Sequence, residues 1–218
     1  MRGVHDARIL VVTQSPDRRS AARGAYRGGT GTRIMKIFLR PEYRIAADYP
    51  DYGRAGVPSF LSSMRIYQTS AVKCIVGGIP DALGERVIHN CRRRFLDAQV
   101  AELDDLELIL PMGRLAIAAV LLRPQGSIDL RRTIGRRGVG IIETDSHYRK
   151  TVICLPHPSG TNRAFNPPAS RPEDSVGVVR QKHLLAAALD AIRRRLKSMG
   201  YPLRDIPLET TAGPLDLL

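Results

Sequence analysis

The sequence contains no tryptophan, only 5% aromatic residues and three cysteines, and it has no apolar run near the roughly 20 residues that a membrane-spanning helix needs. Each shortage excludes something. Without Trp, any surface that stacks on planar rings rests on a few Tyr or Phe side chains. Cys74, Cys91 and Cys154 are too few and too odd in number for a disulfide framework, which leaves reduced thiols or metal ligands. The missing apolar run excludes a helical membrane anchor. Asp6 and Arg8 interrupt the short apolar pieces where a signal peptide would need a continuous core. The chain is therefore expected to be cytoplasmic, with no membrane partner.

Acidic residues are also in deficit. Against 34 Lys+Arg there are 21 Asp+Glu, which leaves a formal net charge of +13 and a pI near 10.4. A polyanion is the natural partner, although DNA, RNA and an anionic membrane attract the same excess of cations. With 43% hydrophobic residues in 218, the chain can bury a core and is not of the disordered class. The length suits one globular unit, expected over residues 1–200, with a tail of mixed Pro, Gly and apolar residues over 201–218. The unit is expected to be a monomer.

Four segments read as short buried strands bounded by Pro, Gly or charge clusters: Arg8 to Thr13, Ile66 to Val72, Leu106 to Pro111 and Thr151 to Pro156. Between them lie helical patterns. These are Thr32 to Leu39, Asp81 to about Leu103 with Leu83, Val87, Ile88, Cys91, Phe95, Val100 and Leu103 near helical spacing, and Leu115 to Leu122. Gln181 to Met199 forms a last helix, with Leu184, Leu185, Leu189, Ile192 and Leu196 on one face and cations near its end. Alternating strands and helices predict a parallel sheet covered on both faces. In such folds ligands bind in the crevice beyond the carboxyl ends of the strands. The two oddest loops, Gln14-Ser15-Pro16 and His157-Pro158-Ser159-Gly160, both follow such an end.

The most specific string is Leu155-Pro156-His157-Pro158-Ser159-Gly160-Thr161-Asn162-Arg163. Two prolines restrict the backbone around His157, Gly160 permits an unusual turn, and Arg163 supplies a cation suited to phosphate. A histidine held this way can donate a hydrogen bond to charge developing on a ligand. By composition alone the same string is also an ordinary turn that contains a histidine.

This loop resembles the His-Pro-Ser motif of the uracil-DNA glycosylase superfamily, and the likeness continues along the chain. In the cluster-containing family 4 branch, a first strand ends in Gly-Glu-Ala-Pro-Gly. Here Val12-Thr13-Gln14-Ser15-Pro16-Asp17 takes that place, followed by Gly24, Tyr26, Gly29 and Arg33-Ile34-Met35 at matching spacing. Ile66 to Cys74 is similar to the strand ending in Asn-Val-Val-Lys-Cys. Asn90-Cys91-Arg92-Arg93-Arg94-Phe95-Leu96 is similar to the Cys-Arg-Pro-Phe-Leu helix, and Leu110-Pro111-Met112-Gly113-Arg114-Leu115-Ala116 to the Leu-Gly-Arg-Phe-Ala turn.

The resemblance implies a three-layer α/β/α sandwich with a short parallel four-stranded sheet, and a protein that flips a uracil or another damaged base out of DNA and hydrolyses its N-glycosidic bond in base excision repair. It implies that His157 hydrogen-bonds the base oxygen that gains negative charge, and that the loop of Gln14, Ser15 and Pro16 lines the pocket. It places Ser70 at the base-reading position and Tyr26, with Arg27 as the alternative, at the stacking position. Ser159, Gly160, Thr161, Asn162 and Arg163 would meet the DNA, with Thr161 where some relatives insert a wedge. Arg18, Arg19, Arg23, Arg131, Arg132, Arg136 and Arg137 suit a phosphate-contacting rim or a solvated face.

Several positions depart from the family. Relatives carry Asp, Asn or Glu where this chain has Ser15 and Gln14, and Gln14 can orient a water but cannot take its proton. Asp17 is a candidate replacement in the catalytic set. Ser70 offers one hydroxyl where the family has a bidentate amide. Only Cys74 and Cys91 match the four ligands of the family's iron–sulfur cluster, because no Cys-x-x-Cys precedes Ile9; either the cluster is lost or the chain starts further upstream. Loss is the expectation, hence no cofactor and no metal, with Cys154 in the core. Three classes therefore compete: an excising glycosylase, a superfamily member that binds DNA or a flipped base without excision, and a basic α/β protein that acts on a free nucleotide.

Overall fold

The computed structural model describes residues 6–15, 62, 64–73, 85–124, 128, 142–145, 147–157, 188–201 and 203. Strands β1, Ile9–Thr13, and β3, Leu108–Pro111, are buried at every position. Their apolar runs lack alternation for that reason, since a strand covered on both faces has no side to give to polar residues. β2, Ile66–Ser70, pairs with β1 in parallel register, Ile9 opposite Ile66 through Thr13 opposite Ser70. β3 pairs in parallel on the other side of β1.

The expected four parallel strands are all present, and a fifth strand is added. β4, Ile142–Asp145, runs antiparallel to β5, Lys150–Ile153, giving the order β2-β1-β3-β5-β4. No expected strand falls at β4. It is four residues long, and the chain turns back into β5 through Arg149, whose φ of 54° is a conformation that a non-glycine sequence does not announce. The order places the chain reversal between β1 and β3, because β1 leads to β2 on one side and β3 starts the other half. That is where a parallel sheet opens a crevice at its carboxyl edge.

Helix α1, Glu85–Cys91, continues through a π-helical segment, Arg92–Leu96, into α2, Asp97–Ala101. The Asp97 amide donates to the Arg92 carbonyl, the five-residue step of a π turn. This extra residue changes which side chains face inward. Regular spacing from Ile88 and Cys91 puts Phe95 in the core, yet Phe95 is 43% exposed and Leu96 is fully buried, with Val100 following one turn later. Val87 is exposed as well, so the expected apolar face is corrected at both positions.

Helix α3, Arg114–Leu121, is buried along almost its whole length and ends at Leu122 in a left-handed conformation. Residues 188–198 are helical, with Ala188, Leu189, Ala191, Ile192 and Leu196 in the core. This helix is fastened at the amino edge of the sheet. Arg8 Nε donates to Glu107 Oε1 at 2.7 Å and Arg195 Nη2 reaches Glu107 Oε2 at 3.4 Å. Arg8 lies over the Tyr201 ring, and the Tyr201 hydroxyl donates to the Met64 carbonyl at 2.8 Å. Tyr201 and Leu203 pack on the core, so the chain stays on the domain past residue 200. The expected helix Thr32 to Leu39 and the segment 204–218 lie outside the described residues.

Candidate functional site

At the carboxyl edge, hydrogen bonding runs past the strands and fixes the loops that follow them. Ala71 N donates to the Thr13 carbonyl at 2.8 Å and Val72 N to the Gln14 carbonyl at 3.0 Å, so Gln14 is anchored by its backbone beyond β1. Met112 N donates to the Val12 carbonyl at 2.8 Å, Leu155 N to Pro111 at 2.9 Å, and Gly113 N to Leu155 at 2.8 Å. β1, β3 and β5 are thereby held together up to Gln14, Gly113 and Leu155.

Gly113 is the residue on which these ends converge. Its φ of 88° and ψ of 163° lie in a region essentially reserved for glycine. A β-carbon there would stand 2.6 Å from Gln14 Nε2 and 2.9 Å from His157 Cβ. The Gln14 amide and the His157 imidazole therefore lie side by side against the bare backbone of Gly113, brought together from opposite ends of the sequence. α3 begins at the next residue, and its first-turn amides, which have no intrahelical acceptor, end at the same place.

Thr13 and Ser70, opposite one another in the β1–β2 register, form a second polar group at this edge. Thr13 Oγ1 donates to the Thr69 carbonyl at 3.1 Å and lies 3.0 Å from Ser70 Oγ. With the threonine proton committed to a carbonyl, the Ser70 hydroxyl is the donor of that contact. Ser70 is left with lone pairs only, so it presents an acceptor.

On the other face of β2, Thr69 Oγ1 donates to Gln99 Oε1 at 2.8 Å, Gln99 Nε2 donates to the Tyr67 hydroxyl at 3.2 Å, and Lys73 Nζ donates to Gln99 Oε1 at 2.9 Å and to Thr69 Oγ1. Burial lowers the Lys73 ammonium to about 8, against the opposing pull of the nearby Cys91 thiol. Burial, with the charge of Glu102 behind it, pushes the Tyr67 hydroxyl up.

A family model described as the uracil DNA glycosylase superfamily matches residues 2–176. The chain belongs to that superfamily. No curated protein matches it in sequence. Membership makes this a DNA glycosylase-like protein with DNA as its substrate, and the parallel sheet with its helices is the α/β architecture expected for it.

Of the residues expected at the superfamily site, Gln14, Ser15, Ser70 and His157 are described, and all four stand at the carboxyl edge of the sheet, each partly exposed. Pro16, Asp17, Tyr26, Ser159, Gly160, Thr161, Asn162 and Arg163 lie outside the described residues, as does Cys74. Gly113 carries no expected role in the Leu110-Pro111-Met112-Gly113 string; its signal is its place between a strand and a helix, where a glycine marks an unusual backbone or a close approach. Thr13 lies within the first-motif string but carries no expected role, because a threonine at a strand end signals no chemistry by itself.

Cys154 is buried in the core, and Cys91 is buried beside the Lys73 ammonium. Among the described residues no group of three or more His, Cys, Asp or Glu is gathered around a common point. The sequence holds three cysteines, one short of the four thiolates that such a cluster takes from protein. Among the described residues no helix is long and apolar enough to cross a membrane.

Proposed function

We propose that the protein excises uracil, or another base with a protonated ring nitrogen, from DNA by hydrolysing the N-glycosidic bond of a flipped nucleotide. The observation that carries the reading is the meeting of Gln14 and His157 at Gly113, at the sheet edge where the superfamily's two motif loops are expected. Cleavage leaves negative charge on the departing base and positive charge on the sugar. His157 donates a hydrogen bond to the base oxygen that gains this charge, and the first-turn amides of α3 favour the same sign.

Ser70, as an acceptor, pairs with the ring N–H of uracil, hypoxanthine or xanthine. Cytosine has a lone pair at the corresponding nitrogen and is disfavoured. Gln14 orients the attacking water. Tyr26 stacks on the base, and Pro16 lines the pocket. Ser159, Gly160, Thr161, Asn162 and Arg163 grip the flanking strand, with +13 of net charge to hold it.

One observation favours a second reading, in which the protein binds a flipped base without excising it. Neither Gln14 nor Ser15 is a carboxylate, so the water's proton has no evident acceptor in this loop unless Asp17 takes it.

The experiment is to incubate the protein with single- and double-stranded oligonucleotides carrying uracil, hypoxanthine, xanthine or thymine opposite guanine, then to treat with alkali. The expected result is strand breaks at one of these bases, reduced roughly 10²- to 10³-fold by His157→Ala with binding retained. Binding without breaks on any substrate selects the second reading.

A further inference from the structure

The polar network on the other face of β2 has no part in the excision scheme above. Lys73, Thr69 and Gln99 close a triangle there: the Lys73 ammonium donates to Gln99 Oε1 at 2.9 Å and to Thr69 Oγ1, and the Thr69 hydroxyl donates to the same Gln99 oxygen at 2.8 Å. Gln99 Nε2 donates onward to the Tyr67 hydroxyl at 3.2 Å. Gln99 stands on α2, so the triangle ties the chain just beyond β2 to a helix. Lysines at such positions usually leave the ammonium in water. Lys73 is half-buried and turns its ammonium onto two protein acceptors instead.

The stretch that Lys73 ends is the one that holds the first motif loop. Ala71 N donates to the Thr13 carbonyl and Val72 N to the Gln14 carbonyl, and Lys73 follows directly. Thr69 belongs to both arrangements, since its hydroxyl is a corner of the triangle while its carbonyl accepts the Thr13 hydroxyl. The Ala71 and Val72 side chains lie in the core, which keeps the stretch on the domain. Apolar packing is non-directional, however, whereas a hydrogen bond fixes where its donor points.

We propose that Lys73 and Gln99 are positioning residues for Gln14: their bond clamps the stretch that carries the Val72 amide, and through that amide it sets the backbone of Gln14. The Gln14 side chain, which lies against Gly113, is thereby held where it orients the water. The inference rests on the excision reading and extends it to two residues on the opposite face of β2 from Ser70.

The test compares the full chain with Lys73→Met, Gln99→Leu and Gln99→Glu at neutral pH by two readouts. One is amide hydrogen exchange at Val72, the donor to Gln14, with the Leu10 and Val11 amides of β1 as controls for global opening. The other is kcat and KM for excision. Lys73→Met leaves Thr69 bonded to Gln99, so the fold is expected to hold. Gln99→Leu removes the shared acceptor. Gln99→Glu keeps an acceptor for Lys73 and Thr69 and offers a second oxygen to the Tyr67 hydroxyl.

In Lys73→Met and Gln99→Leu the Val72 amide is expected to exchange roughly 2- to 10-fold faster with the controls unchanged, the range for one net hydrogen bond. Their kcat is expected to fall roughly tenfold with KM little changed, as for a misplaced group in place of lost binding. Gln99→Glu is expected to behave as the wild type does. The proposal is overturned if both variants keep wild-type Val72 exchange or wild-type kcat, if Val72 and the control amides quicken alike, or if Gln99→Glu is as impaired as Gln99→Leu. Absence of strand breaks with the wild type overturns the excision reading instead, and Val72 exchange then decides by itself whether the triangle holds Gln14. Should one of the two variants not fold, the other decides by the same readouts.

Discussion

Gly113 stands so close to Gln14 that a β-carbon on the glycine would sit 2.6 Å from the Gln14 amide nitrogen. Gly113→Ala therefore combines backbone strain at a φ of 88° with a clash against two side chains of the site. The expected cost is on the order of 1 to 3 kcal/mol of stability, measured by urea denaturation. Excision is expected to fall well beyond what the lost stability explains, because Gln14 and His157 are displaced from each other. Unchanged excision by a folded Gly113→Ala would mean that their juxtaposition is not used.

The Thr13–Ser70 pair predicts a separation between specificity and stability. Ser70→Ala removes the acceptor and should reduce discrimination of uracil from cytosine by roughly tenfold, near the low end of the ~1 to 3 kcal/mol typical of base-edge contacts. The fold should hardly notice, since Thr13 keeps its carbonyl partner. Thr13→Val instead leaves the Thr69 carbonyl and the Ser70 hydroxyl without their partner and should cost about 1 to 3 kcal/mol of stability. Parallel excision assays and denaturation curves of the two variants would show whether the effects divide in this way.

The π segment makes neighbouring residues respond in opposite ways. Leu96→Ala, at a fully buried position, should destabilise by about 2 to 5 kcal/mol. Phe95→Ala, at a side chain 43% exposed, should change stability by less than about 1 kcal/mol. The reverse order of midpoints in urea would mean that the helix runs through without the extra residue.

Lys73 predicts a pH dependence with a definite sign. Its folded-state value of about 8 lies below the ordinary 10.5, so between these values the unfolded chain binds the additional proton. Stability then rises with pH across that window, and the burden of the buried ammonium is fully present below pH 8. Lys73→Met abolishes this gain. The difference in stability between wild type and variant should shift in favour of the wild type by on the order of 1 kcal/mol from pH 7 to pH 10, after allowance for solvent screening. Urea denaturation at the two pH values measures it, and a difference that stays constant would remove Lys73 from the account.

The extent to which the sequence announced this structure follows from what each element is packed against. β1 and β3 were legible because strands buried on both faces are continuously apolar, and these short runs are bounded by charged, Pro or Gly residues. His157 and Gln14 were legible because motifs with a fixed order along the chain mark the loops that a parallel sheet brings to one edge. β4 was not, since four residues with no alternation carry too little pattern. Phe95 and Leu96 exchanged places because periodicity assumes 3.6 residues per turn, and an inserted residue leaves no mark in composition. The burial of Arg92 was hidden for a different reason: inside a run of three arginines it reads as part of a solvated face, and only the i, i+4 relation to Ile88 points inward.

The hydrogen bonds from Gly113 to Leu155 and from Leu155 to Pro111 also set an order of events during folding. β1 and β2 can pair without β3 or β5, but His157 reaches Gln14 only after β3 has docked beside β1, the pairing of longest sequence separation among the described strands, and β5 beside β3, so the loop-closure cost falls on the steps that bring the motif loops together. A partly folded chain can thus hold most of its core while its two motif loops are still apart, so the return of activity after dilution from urea should lag the return of helical circular dichroism.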